Sequence, residues 1–288
     1  KPCAWQACPD HSNPDGRPSM VGHHALRLPK ANISGTKKNR NQNFIISSKN
    51  AIFALMDITT TIIEELTALS SDEKRQVLPR FFKTGPGEYG EGDLFIGTAV
   101  PDTRQVAKAH RDISMADVEA LLNSEWHEVR LAALLIMVAK ANKADDSTRK
   151  ELFDFYLSHT DRINNWDLVD LSVKTVVGEY LMDKPRDQLY ILAKSQSPWE
   201  VRMAIVSTFA FIRKGELDDT YRLCDMLMNH KHELIHKACG WMLREAGKRD
   251  PARLYDYVYA NRKRMPRTML RYAIERFGKS EKATLMKK

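Results

Sequence analysis

The stretch WHEVRLAALLIM, residues 126–137, shows the helix pattern from which the fold class can be predicted. Its apolar residues recur at i, i+3, i+4 and i+7, which is the spacing of an amphipathic helix. A similar stretch, WEVRMAIVSTFAF at residues 199–211, matches Arg130-Leu-Ala with Arg202-Met-Ala. A helix pattern that returns along the chain indicates a repeat architecture.

Two further segments, NWDLVDLSV (165–173) and HELIHKACGWML (232–243), fall into the same register. The equivalent positions are then 40, 32 and 33 residues apart, at Val129, Val169, Val201 and Leu234. That period is typical of HEAT or armadillo arrays, in which helical pairs stack into a curved solenoid with a concave face. We therefore predict an all-α fold built from HEAT-like repeats.

The remaining sequence from Met56 onward is also helical in pattern, without a convincing strand. One of the predicted helices covers VDLSVKTVVGEYLM (169–182). We predict a single domain over residues 56–280 and a basic C-terminal tail over 281–288. Residues 1–55 are rich in Pro, Asn, Ser and basic residues, which predicts a disordered tail outside the fold.

The net charge of +8 is unevenly distributed. Residues 1–55 carry 8 basic and 2 acidic residues, residues 56–200 carry 17 and 25, and residues 201–288 carry 20 and 10. A strongly basic last third favours a polyanion that approaches one end of the molecule. Solvated helix faces are the alternative, and charge alone does not choose between them.

Composition excludes several classes of protein. The longest apolar run has nine residues, at 131–139, which is too short to span a bilayer. No secretory signal is visible, and the four cysteines are few and unclustered. Both features fit a reducing cytosol, so we expect a cytoplasmic protein without a disulfide framework. Cys3, Cys8 and His11 in the N-terminal tail make no recognised zinc site.

The segment HELIH (232–236) matches the H-E-x-x-H motif of zinc peptidases. The motif is short and arises often by chance. No histidine or glutamate follows at a familiar third-ligand spacing, and the repeat register already explains Leu234 as a core residue. We therefore predict no metal site.

Basic and aromatic residues alternate along two predicted helices. One face of the later helix carries Lys237, Trp241, Arg244 and Lys248, at i, i+4, i+7 and i+11. The preceding repeat carries a comparable stripe, interrupted by Val206, of Arg202, Phe209 and Arg213. On the inner surface of a solenoid such faces offer phosphate contacts with aromatic surface between them. For Trp241, a core position is an equally good interpretation.

Trp166 and Asp170 stand four residues apart, which places an indole and a carboxylate on one helix face. In the repeat register, Asp170 occupies the position of Arg130 and Arg202. One interpretation is a salt bridge to either arginine. The other is a carboxylate in an aromatic-walled cleft, where it stabilises positive charge or activates water. Asp167 lies in the predicted first turn of this helix, so we interpret it as a carboxylate that interacts favourably with the helix dipole.

Four motifs occur in order along the predicted domain: GEGDLFIGTAVPDTRQVAK (90–108), NWDLVD (165–170), WEVRMAI (199–205) and KACGWMLREAGKRDP (237–251). Together they resemble the AlkD-type DNA alkylation-repair family, a group of HEAT-like DNA glycosylases. The resemblance runs from about Met56 to about Phe277. Its functional positions fall on Trp166, Asp170, Arg202 and Trp241.

The resemblance implies a monofunctional glycosylase that acts as a monomer on duplex DNA. Its substrates would be positively charged purines such as N3-methyladenine and N7-methylguanine, excised without a cofactor or a deep base pocket. Asp170 would stabilise positive charge on the deoxyribose, Trp166 and Trp241 would contact the sugar and backbone, and Arg202 would hold a phosphate. The remaining phosphate contacts, weakened by salt, would come from Lys237, Arg244, Lys248 and Arg213.

An aromatic residue from the N-terminal helices is also expected at the DNA, and Phe81, Phe82 and Tyr89 are the candidates. Two other functions remain open. The first is a non-catalytic HEAT-like protein that binds structured or damaged DNA. The second is a protein-binding scaffold, the commonest use of HEAT arrays, which the basic C-terminal third disfavours.

Overall fold

The computed structural model describes residues 57–287, and these residues form a stack of helices. An isolated bridge between Leu94 and Trp126 is the one β-type pairing in this part of the chain. The α-helices are α1 (Ile58–Ala68), α2 (Asp72–Phe81), α3 (Val100–Ala109), α4 (Met115–Leu122), α5 (His127–Ala141), α6 (Asp146–Ser158), α7 (Trp166–Asp170), α8 (Asp187–Leu192), α9 (Pro198–Arg213), α10 (Asp218–Leu227), α11 (Glu233–Gly247), α12 (Pro251–Asn261), α13 (Arg267–Ala273) and α14 (Lys279–Met286). The all-α prediction is confirmed.

The helices pack as successive pairs. The pairs α4–α5, α8–α9 and α10–α11 each bring two consecutive helices into contact, α12 packs on α11, and contacts also run from α9 to α11 to α13. The register residues Val129, Val169, Val201 and Leu234 are all buried in the shared core. Contacts between neighbouring repeats are the organisation of a helical-repeat solenoid, which confirms the predicted fold class.

The segment predicted as one helix over 169–182 is broken into three. The α-helix α7 ends at Asp170, a π-helix covers Lys174–Gly178, and a 3₁₀-helix covers Tyr180–Asp183. The cause begins at Ser172, whose hydroxyl donates to the Leu168 carbonyl at 2.5 Å and lies 2.8 Å from the Tyr156 hydroxyl. A hydroxyl that bonds back to the i−4 carbonyl often bends a helix.

Gly178 closes the π-helix where α9 passes over it. A Cβ atom at this position would lie 2.4 Å from the Ser207 carbonyl oxygen, so a side chain has no room. The close approach packs the π-helix directly against α9. Helical turns of the π type are rare and occur frequently at functional sites. The π-helix therefore indicates that the segment after Asp170 belongs to a candidate functional region.

The C-terminal boundary differs from the prediction. Residues 281–286, expected in a basic tail, belong to α14, and Leu285 is fully buried. Arg267 also donates to the Met286 carbonyl at 3.2 Å. An apolar anchor and a backbone contact therefore hold the end of the chain on the last repeat. The predicted N-terminal tail (1–55), with Cys3, Cys8 and His11, lies outside the described residues, as does Met56.

Candidate active site

Asp170 is bound by Arg202 from the neighbouring repeat. The Arg202 Nε and Nη2 atoms donate to the two carboxylate oxygens at 2.8 and 2.7 Å. Its Nη1 atom donates to the Leu234 carbonyl at 2.7 Å. The pair therefore connects α7 and α9 and reaches the start of α11. A two-bond arginine–carboxylate contact fixes the direction of the carboxylate as well as its position.

Burial differs between the two partners. Arg202 has 0% of its surface exposed, whereas 7% of the Asp170 side chain is exposed. Burial raises the pKa of the Asp170 carboxyl above its usual value, Arg202 lowers it, and Asp167 adds to the rise. Each carboxylate oxygen retains acceptor capacity beyond its bond to arginine. The carboxylate is thus oriented yet able to accept a further hydrogen bond.

Trp166 begins α7, and the aromatic residues of the N-terminal segment meet at its ring. Phe82 stacks on it with centroids 5.2 Å apart, and Phe81 meets it edge-on at 5.7 Å. The Tyr89 hydroxyl is hydrogen-bonded to the Trp166 side chain. Phe82 is buried, whereas Phe81 is 42% exposed. All three predicted aromatic candidates therefore belong to one cluster, and Phe81 presents the most accessible ring.

Asp167 has a larger role than the one predicted from its place in the first turn. It is buried, and its Oδ2 atom lies 2.9 Å from His127 Nε2. The other imidazole nitrogen, Nδ1, lies 3.0 Å from Asp93 Oδ2. The helix start is thus connected through His127 to the loop before α3, and the helix dipole alone does not explain Asp167.

The start of α5 anchors that loop at two further points. The Glu128 carboxylate accepts the backbone N–H groups of residues 96–98 at 2.8–3.2 Å. Arg130 binds the Asp93 carboxylate and donates to the carbonyls of Ser124 and Glu125 at 3.0 Å each. Sequence reasoning missed His127, Glu128 and Asp93 as site-forming residues. The available signal for His127 and Glu128 was their polarity at the start of an otherwise apolar, buried helix, whereas Asp93 lies in the loop before α3.

Trp241 lies one repeat beyond the Asp170–Arg202 pair. It is half-buried on α11 and contacts Phe209 of α9, with ring centroids 5.8 Å apart. Trp241 was predicted either to lie on the inner surface of the solenoid or to belong to the core. The ring packs on the core and keeps some exposed surface, so each interpretation describes part of its position. The structure therefore groups Trp166, Asp170 and Arg202 together, and pairs Trp241 with Phe209 on the following helices.

The predicted phosphate-binding cations carry acidic partners of their own. Lys237 Nζ lies 3.3 Å from Glu233, and Lys248 Nζ lies 2.5 Å from Glu245. Arg244 pairs with Glu245 and with Glu275. These contacts reduce the positive potential of the stripe, so a phosphate that binds here would compete with a carboxylate.

Arg213 lies apart from these pairs, at the end of α9. Arg213 is exposed and lines a surface cavity of about 660 Å³. The other cations around this cavity are Arg149, Lys184, Lys214 and Arg249. Asp146, Glu179 and Asp183 line the same cavity, so this end of α9 presents a surface of mixed charge with an excess of cations, away from the buried pair at its start.

The histidines of HELIH are engaged in local contacts. His232 caps α11, and its Nδ1 atom accepts the Leu234 N–H at 3.2 Å. His236 Nε2 lies 2.5 Å from the His230 carbonyl. Within residues 57–287, no group of three His, Cys, Asp or Glu side chains has an arrangement suited to a metal ion. Over the same residues, no helix is both long and apolar enough to cross a membrane.

Fold and site together define a helical-repeat protein with a buried arginine–aspartate pair beside an aromatic cluster. The family model described as DNA alkylation repair enzyme matches residues 62–277, and the chain belongs to this family. A solved structure, described as a predicted DNA alkylation repair enzyme from Enterococcus faecalis, is similar with a TM-score of 0.58. The two chains are 17% identical, and the match covers 73% of this chain and 97% of the other. No curated protein matches the sequence.

Proposed function

We propose that this protein is a monofunctional DNA glycosylase that excises positively charged N-alkylated purines from duplex DNA. N3-methyladenine and N7-methylguanine represent the substrate class. The observation that carries the proposal is the Asp170 carboxylate, oriented by Arg202 beside Trp166, in a member of the DNA alkylation repair family. The basic C-terminal third of the chain supports DNA as the partner.

The chemistry suits a carboxylate of this kind. An N-alkylated purine carries positive charge, so it leaves as a neutral base and takes the electron pair of the N-glycosidic bond. Positive charge then develops at C1′ of the deoxyribose. The fixed Asp170 carboxylate stabilises that charge electrostatically and orients the water whose oxygen forms the new bond to C1′. The water proton passes to the carboxylate or to solvent. No cofactor takes part in these steps.

Arg202 has a different role in this proposal from the phosphate contact implied by the resemblance. Its guanidinium is fully buried and donates to Asp170 and to Leu234. We assign it as the positioning residue of the carboxylate, which it also keeps ionised by its charge. A phosphate near the lesion would then be held by cations nearer the surface.

DNA contacts are assigned to the exposed parts of the same helices. Trp166 and Trp241 would face the sugar and backbone, where each cation–π contact with the charged nucleotide is worth roughly 0.5–2 kcal/mol. Phe81 is the N-terminal aromatic best exposed to join them. The phosphates would be contacted, in competition with the acidic partners described above, by Lys237, Arg244, Lys248 and Arg213.

The test measures release of 7-methylguanine from methylated duplex DNA by the wild type and by Asp170→Asn. We expect the variant to lose roughly 100- to 1,000-fold in rate while it still binds DNA. Asp154→Asn is a matched control, since it makes the same change in an exposed pair with Lys150 on α6. Equal rates for Asp170→Asn and wild type would refute the assigned role. Binding of branched or bulged DNA without base release would favour the non-catalytic alternative.

A further inference from the structure

His127 lies between two carboxylates at the start of α5 and is 2% exposed. Its Nδ1 atom lies 3.0 Å from Asp93, and its Nε2 atom lies 2.9 Å from Asp167. An ionised carboxylate only accepts hydrogen bonds, so both ring nitrogens must donate. With both carboxyl groups ionised, this geometry corresponds to an imidazolium, the charged form of histidine.

The surroundings of Asp93 show that this carboxyl is the ionised partner. Besides His127, it receives hydrogen bonds from Arg130, Asn164 and Asn165. Burial raises its pKa, but the hydrogen bond and charge of His127, together with the charge of Arg130 and the hydrogen bond from Asn165, outweigh that effect and lower the pKa to about 2. Two carboxylates and two cations, His127 and Arg130, then form a buried cluster that is neutral overall.

The cluster reaches Trp166 by two routes. One is covalent, since Asp167 directly follows Trp166 at the start of α7. The other runs through stacked rings, because Phe82 lies 4.8 Å from the His127 ring and 5.2 Å from the Trp166 ring. Phe95 covers His127 at a distance of 4.6 Å. Displacing His127 would therefore disturb the backbone before Trp166 and the ring against which it packs.

The cluster is also coupled electrostatically to Asp170. Asp167 raises the pKa of Asp170 from within the same helix, and Arg202 of α9 lowers it. The other titratable group coupled to Asp170 is Tyr156 of α6, whose hydroxyl binds Ser172. His127 donates to Asp167 and so offsets the negative charge that would otherwise oppose ionisation of Asp170. Asp93 and Arg130 are the other charged members of the cluster, and Arg162 acts on Arg130 from outside it.

We propose that His127 is a positioning residue for the candidate active site: its imidazolium fixes Trp166 and cancels the charge of Asp167 beside Asp170. This inference rests on the proposed glycosylase function. It predicts that removal of the His127 charge changes the pH at which Asp170 becomes ionised. It also predicts that removing the Asp167 charge together with the His127 charge returns that pH towards its wild-type value.

The experiment measures single-turnover base release against pH for the wild type, His127→Gln and the double variant His127→Gln/Asp167→Asn. The acid limb of the profile should move to higher pH in His127→Gln, by about one unit for each tenfold change in the ionisation equilibrium. In the double variant the limb should return towards its wild-type position. A loss caused only by disturbed packing would lower the rate equally at every pH, and the second substitution would not reverse it.

His110→Gln is the matched control, because it breaks another histidine–carboxylate pair, with Glu65 at 2.9 Å, between α1 and the end of α3. Its profile should coincide with that of the wild type. If His127→Gln also keeps the wild-type profile, the inference is refuted while the glycosylase proposal stands. If the wild type releases no base, the glycosylase proposal fails instead.

A measurement on the unaltered protein covers the case in which the variants do not fold. Nitrogen-15 spectra of the histidine side chains distinguish an imidazolium, with two protonated nitrogens, from a neutral ring. The His127 signal is identified by its contacts with the protons of Phe82 and Phe95. We expect an imidazolium at pH 7–8, and a neutral ring there would overturn the inference.

Discussion

Two sister helices, α5 and α9, place a buried arginine at the same repeat position and use it differently. Arg130 on α5 binds Asp93, and Arg202 on α9 binds Asp170. The Asp93 carboxylate also receives hydrogen bonds from His127, Asn164 and Asn165. Within residues 57–287, Asp170 has hydrogen bonds from Arg202 alone.

The difference separates an anchor from the proposed reaction centre. Asp93 is 6% exposed and its oxygens are occupied by four side chains, so it has little capacity left for a ligand. Asp170 is held just as firmly by one arginine but keeps acceptor capacity beside the aromatic cluster of Trp166. The Arg130–Asp93 pair thus supplies stability, whereas the equivalent Arg202–Asp170 pair supplies an oriented carboxylate.

The largest expected effect comes from breaking the anchor. Asp93→Ala leaves His127 and Arg130 buried without their shared partner, and loss of one member of a buried ion pair costs about 3–5 kcal/mol. We expect the free energy of unfolding to fall by that amount in urea titrations. Asp154→Ala, in an exposed pair, should change it by less than about 1 kcal/mol. Equal losses in the two variants would contradict the assignment of Asp93 as an anchor.

The anchor should also give the protein a pH dependence in mildly alkaline solution. Burial alone would lower the pKa of His127, but Asp167 and Asp93 outweigh it and raise the pKa from 6.5 to about 9. The resulting stability is fully present below pH 6.5 and is lost as pH rises through 9. A shift of this size corresponds to about 3 kcal/mol.

Chemical denaturation at a series of pH values between 6 and 10 measures this loss. The wild type should lose stability across the interval, and His127→Gln should start lower and show a flatter dependence. The Arg202–Asp170 pair contains no histidine, so this slope reports the anchor rather than the candidate active site. A wild-type stability that is constant from pH 6.5 to 9 would show that His127 is not held as an imidazolium.

Sequence patterns predicted the periodic part of the molecule. The repeat register identified Val129, Val169 and Val201, which the structure places in the core. The same register placed Asp170 at the position of Arg130 and Arg202 and offered either arginine as its salt-bridge partner; the structure pairs it with Arg202. These predictions succeeded because helical spacing and repeat length both act at fixed separations along the chain.

Interactions without a fixed separation were missed. His127 binds Asp93 and Asp167, which are 34 and 40 residues away, and no spacing rule signals that contact. The break after Asp170 was missed because Ser172 competes with backbone hydrogen bonds through its own side chain. Leu285 in α14 was assigned to a tail because the charged residues around it hid one apolar anchor.

The smallest effect we predict is the fall in the rate of base release caused by Arg202→Lys, which we compare with the effect of Arg130→Lys. Lysine keeps the positive charge but cannot make the planar two-bond contact, so Arg202→Lys leaves Asp170 ionised and less firmly oriented. Base release should fall by roughly tenfold, a loss of about 1.4 kcal/mol in transition-state stabilisation. Arg130→Lys should lower stability with a smaller effect on the rate per folded molecule, because Asp93 keeps three other partners. Rates measured at saturating enzyme, with the folded fraction determined in parallel, separate the two effects. If Arg130→Lys reduced the rate as much as Arg202→Lys, the two pairs would not differ in function as their surroundings indicate.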